Sequence, residues 1–174
     1  MKTVVVYKSK SGYTRTYAEW IAEELGADLK ENNRLKAEEM LGYDTIIYGG
    51  GMYAGGINGL KLIKQNLESL KGRNIAVWAT GANPGRPEEM QAVWEKHFSP
   101  EQLSNIRTFY LRGGFDLSLC STGDKVLMKL LKSQLQKKED PTEDEKGILS
   151  MCERPVDFRD RKNIEELCAW VRGL

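Results

Sequence analysis

Residues 3–26 read Thr3-Val4-Val5-Val6-Tyr7-Lys8-Ser9-Lys10-Ser11-Gly12-Tyr13-Thr14-Arg15-Thr16-Tyr17-Ala18-Glu19-Trp20-Ile21-Ala22-Glu23-Glu24-Leu25-Gly26. The β-branched and aromatic run from Thr3 to Tyr7 predicts a strand buried on both faces. Residues at helical spacing follow and predict one buried face of a helix, which ends at Gly26 as a C-cap. Its members are Thr14, Tyr17, Ala18, Ile21, Ala22 and Leu25. This stretch therefore predicts a strand, a short polar loop and a helix.

The same strand–loop–helix unit recurs along the chain. Further strands are expected at residues 27–31, 45–48, 75–80 and 108–111. The intervening helices carry Leu60, Ile63, Leu67 and Leu70, then Met90, Val93, Trp94 and Phe98, and finally Ile164, Leu167 and Val171 after Asp160 as N-cap. Alternating βα units of this length predict an α/β fold, in which a doubly wound, five-stranded parallel sheet has helices on both faces.

One segment departs from this alternation. About forty residues separate the fifth strand from the last helix, where a βα loop has ~2–6. Residues 121–124 resemble a capping box for a helix with Val126, Leu127, Leu130 and Leu131 on one face and Lys125, Lys129 and Lys132 on another. An acidic stretch follows at residues 139–145. We therefore expect residues 1–174 to form a single domain in which residues 112–153 are a helical insertion.

Composition narrows the functional classes. The 174 residues have a formal net charge of +1, and no arginine-rich run or Cys/His finger spacing is present, so a nucleic-acid partner is not expected. The 3 cysteines are far apart, which fits packing or surface thiols better than a disulfide framework or a zinc site. No apolar run approaches ~20 residues, and the N-terminus lacks the features of a signal peptide. We expect a cytoplasmic protein.

The first βα loop is a candidate anion site. Ligands of open parallel sheets bind at the carboxyl ends of the strands, and residues 9–14 place three hydroxyl groups and a glycine before a helix N-terminus. The loop has neither the Walker A pattern nor the dinucleotide glycines. Residues 49–54 match G-x-G-x-x-A formally but follow the third strand, with no acidic residue about 20 positions on. The alternative is a turn that only caps the helix.

Residues 5–21 resemble the N-terminal signature of the flavodoxin family. The restricted positions of that signature correspond to Val5, Val6, Tyr7, Ser9, Gly12, Thr14, Ala18 and Ile21. Two later glycine-rich loops, residues 50–56 and 80–85, fall where the family surrounds its flavin ring. The resemblance implies a flavodoxin-like sheet of order 2-1-3-4-5 and FMN as cofactor.

The resemblance also implies site residues. The FMN phosphate would be bound by Ser9, Lys10, Ser11, Gly12, Tyr13 and Thr14. The Tyr13 side chain has two alternatives: it covers the ribityl phosphate, or it is simply exposed beside the loop. The ring would lie along Met52, Tyr53 and Ala54, with Tyr53 stacking, and Thr80, Gly81, Ala82 and Asn83 would meet its pyrimidine end. Gly50 and Gly51 allow positive φ and close approach of the backbone, so a carbonyl there could accept a hydrogen bond from reduced flavin N5.

Two features differ from ordinary flavodoxins, which are strongly acidic and lack the helical insertion. Both resemble the flavodoxin-domain oxidoreductase branch that includes the oxygen-independent protoporphyrinogen dehydrogenases. An oxidoreductase or an electron-transfer protein is therefore expected, with a redox partner protein or a small-molecule substrate. No side chain is expected to act as catalytic acid or base, because the cofactor performs the redox step. The alternative is a flavin-free interaction or signalling module on the same fold.

His97 and two tryptophans have simple structural explanations, and a lysine face has two alternatives. His97 is expected to pack beside Phe98, since a metal site needs several converging ligands. Trp78 and Trp94 are expected in the core. The lysine face at residues 125, 129 and 132 is either a solvated helix surface or a peripheral contact with anionic lipid or an acidic partner.

Overall fold

A computed structural model describes residues 1–53 and 55–174. Its central parallel sheet contains β1 (Thr3–Lys8), β2 (Asp28–Glu31), β3 (Thr45–Tyr53), β5 (Asn74–Gly81) and β6 (Ile106–Arg112). The spatial order is β2-β1-β3-β5-β6, and a short strand, β4 (Gly56–Ile57), pairs antiparallel with the end of β3. Without β4 in the count, this order is the predicted 2-1-3-4-5. The predicted fold class is therefore confirmed.

Helices cover both faces of the sheet. They are α1 (Tyr13–Leu25), α2 (Lys61–Lys64), α3 (Pro87–His97), α4 (Pro100–Ser104), α5 (Thr122–Leu135), α6 (Glu143–Glu153) and α7 (Glu165–Arg172), with 3-10 turns at Ala37–Met40, Leu117–Leu119 and Arg161–Ile164. On one face, α1 and α7 pack against Val5, Ile47 and Trp78. On the other face, α2 and α3 pack on Val4 and Val77. Trp78 and Trp94 are both buried, as expected.

The helix expected through Leu60 and Leu70 is much shorter than its apolar spacing indicated. The α-helix covers only Lys61–Lys64, and turns follow. The Asn66 side chain donates to the Leu62 carbonyl at 2.7 Å, and the Ser69 hydroxyl donates to the Asn66 carbonyl at 3.0 Å. Such local side-chain bonds compete with helical backbone bonds, so the apolar residues reach the core from a turn.

The glycine run after Tyr48 was expected to be a loop, but it continues β3. Gly49, Gly50 and Gly51 pair with β5 at Trp78, Ala79 and Thr80. A side chain on Gly49 would overlap the Trp78 indole, which is fully buried. A glycine at this position therefore allows the indole ring to lie across the strand.

Two helices make up most of residues 112–153. At their base, β7 (Gly114–Phe115) pairs antiparallel with β8 (Val156–Asp157). Ser121 caps α5 as expected, accepting the Asp124 N–H at 3.2 Å, but the Asp124 carboxylate bonds elsewhere and does not complete the box. The second helix, α6, was missed, although Thr142 and Glu145 form a full capping box at its start.

No helix within residues 1–53 and 55–174 is both long enough and apolar enough to cross a bilayer.

Candidate functional site

Three connections meet at the carboxyl edge of the sheet. The strand registers pair Lys8 of β1 with Gly50 of β3, and Gly51 of β3 with Thr80 of β5. The loops that leave these strands are therefore neighbours in space. The chain runs outward in opposite directions from β1 and β3, so this edge is the switch point at which open α/β sheets bind ligands.

The β1–α1 loop presents the start of a helix. Gly12 is the N-cap of α1 with φ 90°, and no side chain caps the helix there. The Gly12 N–H donates to Ser9 Oγ at 3.0 Å, which folds the loop back on itself, and Lys10 is exposed. Because the first N–H groups of a helix lack partners within it, this end favours an anion.

Two predicted phosphate-binding residues have buried side chains. Thr14 is 3% exposed, and a Cβ on Gly51 would lie 3.3 Å from its Oγ1. The Tyr13 hydroxyl donates to the Val156 carbonyl at 3.3 Å, and the Arg159 guanidinium stands 4.8 Å from the centre of its ring. The Tyr13 side chain therefore packs against the base of the insertion, which rules out the expected alternative of simple exposure.

The β3–β4 hairpin supplies an aromatic side chain beside the first loop. Met52 is half-buried and Tyr53 is 39% exposed. Lys10 Nζ lies 3.8 Å from the centre of the Tyr53 ring, a cation–π contact that joins the two loops. The Tyr53 hydroxyl donates to the Asp124 carboxylate at the start of α5. The remaining predicted ring residue, Ala54, lies outside the described residues.

Gly50 and Gly51 do not adopt the positive φ that glycine allows. Both residues have strand geometry, and the positive φ in this hairpin belongs to Gly55, at 73°. A Cβ on Gly50 would lie 2.5 Å from the Asn58 carbonyl oxygen, so close packing accounts for this glycine. The Gly51 carbonyl already accepts the Asn58 N–H at 3.0 Å. That bond closes the hairpin and engages the oxygen that was expected to face flavin N5.

The third connection contains an unpaired polar atom. Thr80 is 4% exposed, and within the described residues its Oγ1 has no hydrogen-bond partner. The next carbonyl, of Gly81, accepts the Gly113 N–H at 2.7 Å. The loop beyond is fixed because the Tyr110 hydroxyl lies 2.6 Å from the Asn83 carbonyl oxygen, and Arg112 Nε donates to the Ala82 carbonyl at 3.3 Å. Burial raises the pKa of Tyr110, which stays a neutral donor.

Contacts outside the predicted set join the insertion to two of these loops. Besides the Tyr53–Asp124 hydrogen bond, the Arg86 guanidinium donates twice to the Asp144 carboxylate, each time at 2.8 Å. Each insertion helix is therefore tied by its first turn to a loop at the sheet edge. No local pattern marks Arg86, Asp124 or Asp144, because their partners are distant in sequence.

A cavity of about 970 Å³ lies between the two insertion helices and the segment at Leu117. Its lining combines apolar side chains such as Met128 and Met151 with the basic groups of Lys125 and Lys129. The carboxylates of Asp116 and Glu153 also line this space, which is open to solvent and has the volume to hold a large ligand.

His97 and the cysteines give no sign of a metal centre. Burial lowers the pKa of His97, which favours the neutral imidazole. Cys168 is buried, Cys120 and Cys152 are half-buried, and burial raises the pKa of each thiol. Across residues 1–53 and 55–174, no three potential ligands cluster.

An open parallel α/β sheet with glycine-rich connections at its switch point defines a class of proteins that bind nucleotide-like ligands. The family model described as a flavodoxin domain matches residues 4–142. The chain therefore belongs to the flavodoxin-domain family. A search of curated proteins gave no match.

Several solved structures are similar to this chain, and one with a TM-score of 0.50 supports the fold. Oxidised flavodoxin 2 from Bacillus cereus is 24% identical, with a TM-score of 0.50, over 64% of this chain and 84% of its own. A WrbA-like flavodoxin from Agrobacterium tumefaciens is 20% identical over 71% and 87%, with a TM-score of 0.49. A flavoprotein from Lactobacillus acidophilus NCFM, solved in complex with FMN, is 21% identical over 64% and 91%, with a TM-score of 0.41.

Proposed function

We propose that this chain binds FMN at the sheet edge and acts as an FMN-dependent oxidoreductase. The observation that carries the proposal is the buried Thr80 Oγ1, which has no partner within the described residues. A buried hydroxyl without a partner costs about 1–3 kcal/mol, so a ligand that supplies one is favoured. The family to which the chain belongs provides FMN as the ligand of this edge.

The donor set around this edge fits FMN. The uncapped start of α1 and the hydroxyls of Ser9 and Ser11 suit a phosphate group. Tyr53 offers an aromatic face to a flat ring, and Lys10 would leave that face for solvent or for the phosphate. Thr80 and the backbone of Ala82 and Asn83 suit the polar end of such a ring. Bound FMN supplies the redox chemistry, and these residues bind and orient it.

The protein residues provide a rigid and partly closed site. The Tyr110 hydroxyl holds the Asn83 backbone, and the Gly113 N–H holds the Gly81 carbonyl, so the third loop is fixed before a ligand arrives. A preformed site loses less entropy on binding than a mobile one. The contacts at Asp124 and Asp144 hold the insertion beside the site.

The insertion favours an enzyme over a simple electron carrier. A carrier needs an exposed flavin edge, whereas here two helices are tied to the flavin loops and line an open groove of about 970 Å³. The cavity's apolar and basic lining suits a substrate with a large apolar body and carboxylates. Within the proposal, a porphyrinogen is the substrate to test first, by analogy with the protoporphyrinogen dehydrogenase branch.

FMN titration of matched variants tests cofactor binding. Thr80→Val removes the unpaired hydroxyl at nearly constant volume, so we expect FMN affinity to fall about ten-fold, for the loss of about 1.4 kcal/mol. Thr45→Val is the matched control, because Thr45 is buried in β3 at the opposite end of the sheet, where its Oγ1 has partners. Equal affinities for all three proteins would contradict the role of Thr80. No binding at micromolar FMN would favour the flavin-free module.

Replacement of the insertion tests the enzyme proposal. Phe115 and Val156 are register partners, so residues 116–155 can be replaced by an Asn-Gly turn without moving either strand. We expect this variant to bind FMN and to lose anaerobic protoporphyrinogen oxidation with an added electron acceptor. If both forms oxidise the porphyrinogen equally, the proposed role of the insertion is wrong. If neither does while FMN is bound, the substrate proposal is wrong and an electron carrier is favoured.

A further inference from the structure

Helix α5 exposes an apolar stripe that the rest of the described chain leaves uncovered. Val126, Leu127 and Leu130 are 56%, 54% and 58% exposed, and Leu119, just before the helix, is 53% exposed. At helical spacing the first three lie on one side of α5, while Leu135 is buried on the opposite side. Three large apolar side chains in one contiguous helical stripe are unusual on a solvated surface.

Basic residues flank the stripe. Among the described residues, Lys125 and Lys129 form no ion pair, and Lys132 lies 3.3 Å from Glu153. Lys129 falls between the stripe and the cavity side of the helix. The acidic carboxylate nearest in sequence, that of Asp124, accepts the Tyr53 hydroxyl. The exposed side of α5 therefore combines apolar side chains with two lysines that form no ion pair among the described residues, and both lysines also border the groove that Asp116 lines.

Three carboxylates of the acidic stretch at residues 139–145 pair with groups other than these lysines. Glu143 is paired with Lys146 at 2.7 Å, Asp144 with Arg86, and Glu145 with Lys138 at 2.8 Å. Each of these carboxylates thus has a partner away from α5. The lysines and these carboxylates are close together in sequence, but in the structure the carboxylates pair with other basic groups.

We propose that α5 is an interfacial helix that binds the surface of an anionic bilayer. In this arrangement Val126, Leu127 and Leu130 enter the boundary between headgroups and acyl chains, and Lys125 and Lys129 contact anionic headgroups. This is the side-chain distribution of helices that lie in a membrane surface. A second copy of the chain is a poorer occupant, because two stripes packed together would bring like-charged lysines close to each other.

Vesicle flotation of the full chain tests the proposal. We expect binding to vesicles of phosphatidylcholine with 30% phosphatidylglycerol, weaker binding in high salt and little binding to phosphatidylcholine alone. The variant Leu127→Gln/Leu130→Gln should reduce the partition coefficient at least about ten-fold. Lys125→Gln/Lys129→Gln should reduce it about twenty-five-fold, at about five-fold for each lysine. Lys61→Gln/Lys71→Gln, at exposed sites elsewhere, is the matched control and should change it little.

Other outcomes would overturn the proposal. Equal flotation of the wild type and both α5 variants would show that another surface binds lipid. If no vesicle binds but sedimentation velocity shows a dimer that Leu127→Gln/Leu130→Gln dissociates, the stripe is an interface between copies. Far-UV circular dichroism and the melting temperature should match among the variants, because all the substituted side chains are exposed. These readouts do not depend on FMN.

Discussion

Gly49 provides a sharp test of how β3 reaches the candidate site. A Cβ at this position would overlap the Trp78 indole, whose ring is fully buried between the sheet and α1. The ring cannot move without displacing other core side chains. We therefore expect Gly49→Ala to destabilise the protein strongly, although alanine is the better strand residue.

The size of the effect follows from the packing. Overpacking a well-filled core costs typically 1–3 kcal/mol, and overlap with a fully buried indole belongs at the upper end, about 3 kcal/mol. For a domain of this size, about 3 kcal/mol corresponds to a fall of about 6–12 °C in melting temperature. Gly51 lies on the same face of β3, and a Cβ there would approach Thr14 Oγ1 only to 3.3 Å. Gly51→Ala should therefore cost less than about 1 kcal/mol.

Urea unfolding followed by far-UV circular dichroism measures these differences. The rescue variant is Gly49→Ala in a Trp78→Leu background, where the ring that would be overlapped is absent. We expect the two substitutions to be non-additive by about 2 kcal/mol or more, in the direction of rescue. Gly49→Ala within about 0.5 kcal/mol of wild type, or additivity with Trp78→Leu, would refute this account of the glycine.

Three further predictions concern the site and its surroundings. Burial raises the pKa of Tyr48 from 10.0 to about 12. The stability that its neutral form contributes is therefore complete below pH 10 and is lost as the pH rises towards 12. Tyr48→Phe should reduce this dependence of the free energy of unfolding on pH, measured by urea unfolding. Gly12→Ala places a Cβ at φ 90° and should cost about 1–2 kcal/mol, whereas Gly12→Asn should cost less in the same assay. Tyr53→Phe should keep FMN affinity within about three-fold, while Tyr53→Leu should lower it by about 0.5–1.5 kcal/mol of stacking in fluorescence titration; equal losses would argue against stacking.

The sequence predicted the fold closely because the β-strands of a doubly wound sheet are encoded locally. β1 is a continuous apolar run, and α1 follows it with a regular apolar face and a glycine C-cap. The same patterns were less informative where side chains compete with the backbone. Asn66 and Ser69 ended α2 early, and the glycines after Tyr48 formed a strand because they pair with β5.

For the candidate site, local sequence determined which loops meet but not the state of each group. Gly12, Tyr53 and Thr80 were expected at the sheet edge, since parallel strands end on the same side. The buried Tyr13, the engaged Gly51 carbonyl and the unpaired Thr80 hydroxyl depend on residues distant in sequence.

By itself, the sequence determined the family and the position of the glycine-rich loops, because both depend on short-range patterns of apolar and small residues, and the resemblance to the family implied the strand order. Only the tertiary structure decided how the insertion is used. It joined Asp124 to Tyr53 and Asp144 to Arg86, and it left the apolar stripe of α5 exposed. Such pairings depend on the free energy of bringing distant groups together, and no local pattern in a single chain records which partner each charged group will meet.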